Sequence, residues 1–128
     1  MAHTGRRLRS GGLLTTVAIA AGLALTPAPA AASAAAAWDC PQGWICLYDH
    51  AGGVGRFYAA TDGCWFDNIG LQGLGDRATS VYNRTSHRVN LANWNGSAWE
   101  HLVHADPGQA FNLPASADNR TDAVHVIC

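Results

Sequence analysis

Lysine is missing from this chain, methionine occurs once, and no stretch reads as a convincing amphipathic helix. Arginine is scarce as well. Three of the eight arginines (Arg6, Arg7, Arg9) lie in residues 1–12, and all nine acids lie after them. From residue 38 onward five cations therefore face nine anions, a net charge of −4. That balance excludes a nucleic-acid binder, which needs a basic face, and an anionic membrane as partner. No HExxH pair, no acid–His–Ser order with recognisable flanks and no glycine-rich phosphate loop opening a helix is present. No tight Cys-x-x-Cys or Cys/His cluster is present either, which excludes a zinc module. With no lysine and abundant alanine, the composition points to a GC-rich bacterial genome. The sequons at Asn83, Asn95 and Asn119 are accordingly not read as glycosylation sites.

What is there begins with an export signal. Arginines without acids precede the apolar run "LLTTVAIAAGLAL" (13–25), and then comes the small-residue stretch "TPAPAAASAAAAW". The apolar run is shorter than the roughly 20 residues a membrane span needs. Cleavage is expected between Ala30 and Ala37, so residues 1–37 form the signal peptide and cleavage region. The Arg6-Arg7 pair is the only hint of a twin-arginine route. Residues 38–128 form one small domain, expected to be secreted and monomeric. Its four cysteines, Cys40, Cys46, Cys64 and Cys128, read as two disulfides in an exported domain. Three pairings are open, and spacing does not choose among them.

Short apolar runs rich in aromatic and β-branched residues recur every 8–12 residues between Gly, Pro, Asn and Asp turns. This predicts an all-β fold with strands at 44–49, 56–60, 78–83, 88–93, 99–104, 110–113 and 123–127. The glycine-spaced stretch 67–76 reads as a loop holding one helical turn. "GDRATSVYN" (75–83) is echoed 43 residues later by "DNRTDAVHV" (118–126), each preceded by a hairpin-like strand pair. A four-strand repeat of this length is a Greek-key unit, so two units are expected at about 40–84 and 87–128.

"YDHAGGVGRF" (48–57) resembles the βγ-crystallin signature, with Gly55 as the φ > 0 glycine of a folded hairpin and Ser80 as the residue that ties it down. The resemblance implies a disulfide-stabilised double Greek-key sandwich. The family's aromatic two positions before that glycine is here Gly53, which is expected to loosen the hairpin. The repeated polar cluster resembles the family's calcium motif. It offers Asp76 and Thr79 in the first copy, where Gly75 replaces the first ligand, and Asp118, Asn119 and Asp122 in the second. Oxygen donors at this spacing suit Ca²⁺. Calcium is the only cofactor to which the sequence points, and each copy of its motif is incomplete.

A closer resemblance covers nearly all of 38–128. "CPQGWICLYDHAGGVGRF", the "GC" at 63–64 and "DRATSVYNRTS" (76–86) are similar to the secreted peptidase inhibitors typified by the Streptomyces metalloproteinase inhibitor. That family usually carries its fourth cysteine early in the second half, whereas here it is Cys128, so the second staple pins a different loop. The resemblance implies a non-enzymatic protein that blocks an extracellular protease, thermolysin-like, with a rigid surface loop. Such enzymes accept a bulky apolar residue after the scissile bond. Two segments fit: Cys64-Trp65-Phe66, and Trp94-Asn95-Gly96-Ser97-Ala98-Trp99. Two other functions suit the same fold, a calcium-binding extracellular module and a secreted antimicrobial toxin. For catalysis the best candidates are Glu100 and His104. His101 and His104 should alternate to opposite faces of a strand, leaving no convergent pair.

Overall fold

The computed structural model describes Gly12, Gly22 and residues 37–128. The signal peptide and cleavage zone read at 1–37 thus lie, apart from these positions, outside the described residues. Eight strands and one short 3₁₀ turn follow in order: β1 (Trp44–His50), β2 (Val54–Thr61), β3 (Trp65–Asn68), the turn Ile69–Gln72, β4 (Ser80–Asn83), β5 (Arg88–Trp94), β6 (Trp99–Ala105), β7 (Ala110–Asn112) and β8 (Ala123–Ile127). They form two four-stranded antiparallel sheets, ordered β2-β1-β4-β7 and β3-β8-β5-β6. The architecture is a crystallin-like double-sheet sandwich.

Strand order gives the repeat its physical meaning. In each half the second, first and fourth strands pair in that order, and the third strand crosses to complete the sheet of the other half. Neither half can therefore finish its own sheet. The 43-residue echo is kept in the hydrogen bonds: Asp76 N donates to Thr121 O, and Asn119 N donates to Ala78 O, both at positive φ (58° and 54°). Irregularities in pairing also fall at matching places, between Leu47 and Tyr48 and between Leu91 and Ala92.

Between the sheets lies one core: Ile45, Leu47, Tyr58 and Val81 from the first sheet against Val89, Leu91, Val124 and Val126 from the second. Alternation along β1, β5 and β8 puts these residues inward and their neighbours outward. The linker between the halves is fixed by buried Asn83. Its Nδ2 donates to His87 O and Ala105 O (both 2.8 Å), and its Oδ1 accepts from Thr85 N and Oγ1. All four amide hydrogen-bonding sites of that side chain are thereby used, which makes its burial tolerable.

Three expectations need correction. The strand Trp65–Asn68 was not foreseen, because its four residues run from a cysteine straight into turn-forming Asp67-Asn68. Gly53 does not loosen its hairpin. A Cβ there would stand 2.4 Å from the Trp38 ring, and Trp38 N donates to Gly53 O (2.9 Å), so the indole from the preceding segment fills the missing aromatic's place. Trp38 also meets Tyr48 and Tyr82 edge-on, at ring separations of 5.7 and 6.2 Å. Finally, His101 and His104 share one face, because β6 carries an extra residue between the partners of Leu91 (Val103) and Ala92 (His101). One added residue shifts the two-residue alternation by one position.

The pairing of cysteines is Cys40–Cys46 and Cys64–Cys128, with none left free. The second bridge joins the start of β3 to the chain end just beyond β8, alongside the Trp65–Val126 pair.

Candidate functional site

The two segments picked out as loop candidates converge on one surface. Along β3, Trp65 turns inward against the core while Phe66 points out, as strand alternation requires. Trp94 and Trp99 face each other at the ends of the β5–β6 hairpin. The Phe66 and Trp99 rings meet edge-to-face at 5.0 Å, Trp99 and Trp94 lie 5.2 Å apart, and His125 adds its ring 5.6 Å from Phe66. Phe66 and Trp94 are 46% and 47% exposed, so these rings cover one another yet still face solvent. Beside them Leu71, on the 3₁₀ turn, is 85% exposed. Together with Asn68, Gly70 and Asp122, Leu71 and the two indoles line a cavity of about 520 Å³. Contiguous aromatic surface of this kind marks interaction sites on soluble proteins.

Backbone and polar side chains hold both segments. Asn95 Oδ1 accepts from Ser97 N (3.0 Å) and Ala98 N (2.9 Å), and Gly96 takes φ 95°, which closes the hairpin loop. Trp94 N donates to Asp122 Oδ2 (3.0 Å), tying the hairpin to the second polar cluster. On the other segment, Asp62 is the anchor. Its Oδ2 accepts from Ser86 N (3.0 Å) and Ser86 Oγ (2.7 Å), and its Oδ1 from Gly63 N and His87 Nδ1 (both 2.8 Å). These donors, Ser86 foremost, hold the Asp62 carboxyl well below the usual carboxylate range. Trp65 Nε1 donates to Thr61 O (3.0 Å), and Cys64 is bridged to Cys128, so the 61–65 turn is fixed at both ends. Leu71 and Asp62 were missed in the sequence. The apolar residue inside "IGLQGLG" was the available sign of the former, and no local pattern announced the latter.

The polar clusters interlock. Asp122 of the second copy lies against Gly75 of the first, where a Cβ would stand 2.4 Å from its Oδ1. Burial and the nearby Asp122 carboxylate raise the pKa of Asp76. In the reciprocal place, Thr79 Oγ1 donates to Asn119 Oδ1 (3.4 Å), and Asp118 Oδ1 is buried with no hydrogen-bond partner. The donors are hard oxygens throughout, and a carboxylate oxygen without a partner fits Ca²⁺. Gly75 supplies no side-chain ligand, and Ala123, where Ser80 stands in the first copy, supplies no hydroxyl. Ser80 Oγ instead donates to His50 O (2.6 Å) and accepts from Gly53 N (3.1 Å), in the hairpin where Gly55 takes φ 74°.

Among the described residues no three His, Cys, Asp or Glu side chains gather as a metal centre. Glu100, raised above as a catalytic candidate, is engaged by Arg120 (2.9 Å) and Asn93 (3.1 Å). Its neighbours on the sheet are thus structural partners.

Fold and surface define a disulfide-stapled double Greek-key protein with a prearranged aromatic face. Residues 33–101 match the model of peptidase inhibitor family I36, and the chain belongs to that family. The match spans the first half and the β5–β6 hairpin up to His101, and so includes every ring of the aromatic face except His125. No curated protein and no solved structure matches the chain.

Proposed function

We propose that this peptidase inhibitor is exported, acts as a monomer and blocks a thermolysin-like extracellular metalloprotease with the face built from Phe66, Trp94 and Trp99. The observation carrying this reading is the meeting of the two candidate segments, with Trp99 touching both Phe66 and Trp94. One segment alone would offer one side chain to a cleft. Together they offer a rigid apolar wedge beside a cavity that accepts a residue from the partner. Preorganisation removes the ordering cost of association, and the Asp62 and Asn95 ties supply it here. A loop held at Cys64 and by Asp62 would keep its ends in place even if its backbone were cut. Inhibition by occupation calls for no catalytic group.

Titration of the purified protein against a panel of metallo-, serine and cysteine peptidases tests the proposal. Stoichiometric loss of thermolysin-type activity is expected, and no loss in any class at micromolar protein would sink it. Within an inhibited complex, Trp94→Ala or Trp99→Ala should each weaken binding by about 2 kcal/mol, roughly thirtyfold, as buried aromatic anchors do.

A second reading is favoured by the partnerless Asp118 Oδ1 and the Asp76–Asp122 pair: the clusters take up Ca²⁺. Added Ca²⁺ should then raise the melting temperature by mass action, and Asp118→Ala should abolish the rise. A melt indifferent to calcium and chelator would dismiss it.

A further inference from the structure

The extra residue in β6 leaves a pair of histidines that neither the aromatic face nor the polar clusters use. On the outer surface of the second sheet, registers place Phe66, His125, Asn90 and His104 in one row. Asn68, Ala123, Ala92 and His101 form the next. With regular alternation His101 and His104 would face opposite sides. The bulge instead sets their rings 6.1 Å apart and nearly parallel (28°), both in solvent, on the free edge strand of the sheet.

We propose that His101 and His104 form a two-ligand site for a divalent transition-metal ion, Zn²⁺ being the probe of choice. Imidazole nitrogen is a good ligand for that ion, at about 2 Å from the metal. Two rings whose centres lie 6.1 Å apart must close by about an ångström and turn about their side-chain bonds so that one nitrogen of each points at an ion at that distance. Among the described residues the two rings contact each other and hydrogen-bond to no side chain or backbone group, so no existing interaction opposes the movement. Both side chains stand on a paired strand, which holds the two Cα positions fixed and lowers the ordering cost of chelation. Because no third ligand residue lies nearby among the described residues, the remaining coordination positions stay with water. The site is therefore exchangeable and does not contribute to folding as a closed structural zinc centre would. It is independent of the inhibitory reading, since its ligands form no part of the Phe66–Trp99–Trp94 contact.

Isothermal titration of the full protein with ZnCl₂, alongside imidazole NMR signals, tests the site. Saturable one-to-one uptake is expected, with the His101 and His104 signals shifting together. Each single variant, His101→Ala or His104→Ala, should bind roughly tenfold more weakly or worse, about 1.4 kcal/mol of binding free energy. His125→Ala and His50→Ala should leave affinity unchanged. Both proposed ligands are solvent-exposed, and circular dichroism of each variant verifies that its fold is intact. Uptake that persists in the double variant His101→Ala/His104→Ala, uptake lost in His125→Ala alone, or no saturable uptake would each overturn the assignment.

Discussion

The two halves share a backbone plan but divide the work. In the first, the hairpin at the end of β1 is folded down and locked: Ser80 ties His50 O and Gly53 N, Trp38 packs on Gly53, and Cys40–Cys46 sits beneath. At the corresponding place in the second half, Ala123 replaces Ser80 and Trp94 replaces His50, and the hairpin carries two exposed indoles instead. The same fold thus acts as a frame in one half and as a display in the other. Where the side-chain lock is absent, aromatic surface is left for a partner.

The sharpest way to break that division is through the disulfides. Cys64–Cys128 closes 64 residues and spans both halves, whereas Cys40–Cys46 closes six within one. Chain entropy then assigns about 4 kcal/mol to the first bridge and about 2 kcal/mol to the second. Denaturant unfolding of Cys64→Ser/Cys128→Ser should show the larger loss. Equal losses would mean that the halves are held together by their exchanged third strands alone.

Next in size is the hairpin lock itself. Ser80→Ala leaves the buried Gly53 N without its acceptor, a change worth about 1–3 kcal/mol. The mirror substitution Ala123→Ser should not stabilise the second half, because the loop N–H groups after Trp94, those of Ser97 and Ala98, already donate to Asn95 Oδ1. Unfolding midpoints of the two variants measure this directly. A stabilising Ala123→Ser would show that the second hairpin was merely lacking its hydroxyl.

Much of this division was legible in residues. The 43-residue echo and the Gly55 and Ser80 positions mark the repeat, and the alternation of β1, β5 and β8 marks the core. Trp94 and Trp99 stand out between asparagines and turn residues. What stayed hidden depends on contacts distant in sequence. That Phe66 would touch Trp99 follows from β3 crossing to pair with β8, which no local pattern encodes. The pairing of Cys64 with Cys128 follows from the same crossing. The extra residue in β6 did have a local sign, the polar pair Glu100-His101 followed by the apolar pair Leu102-Val103, which breaks the two-residue alternation of "WEHLVHA". Trp38 fills the gap at Gly53 from outside the repeat altogether.

The smallest expected effect separates the halves by titration. Tyr48, Tyr58 and Tyr82 are the chain's three tyrosines, and all lie in the first half. Burial pushes the Tyr48 phenol up to about 12. Burial likewise raises Tyr58, whose hydroxyl donates to Asp67 Oδ2 (2.8 Å). A phenol that is harder to ionise when folded than when unfolded adds stability that is fully present below its unfolded value, about 10. For Tyr48 that stability is lost as pH rises from there to about 12. Alkaline unfolding should therefore start in the frame: with Trp38, Trp44 and Trp65 replaced by Phe so that Trp94 and Trp99 alone emit, tyrosinate absorbance should rise before the emission changes. Tyr48→Phe removes one such group and should flatten the decline between about pH 10 and 12, at the expense of the hydrogen bond to Asp39 O (3.0 Å). Simultaneous absorbance and emission changes would show instead that the crossed third strands couple the two halves too tightly to fail in sequence.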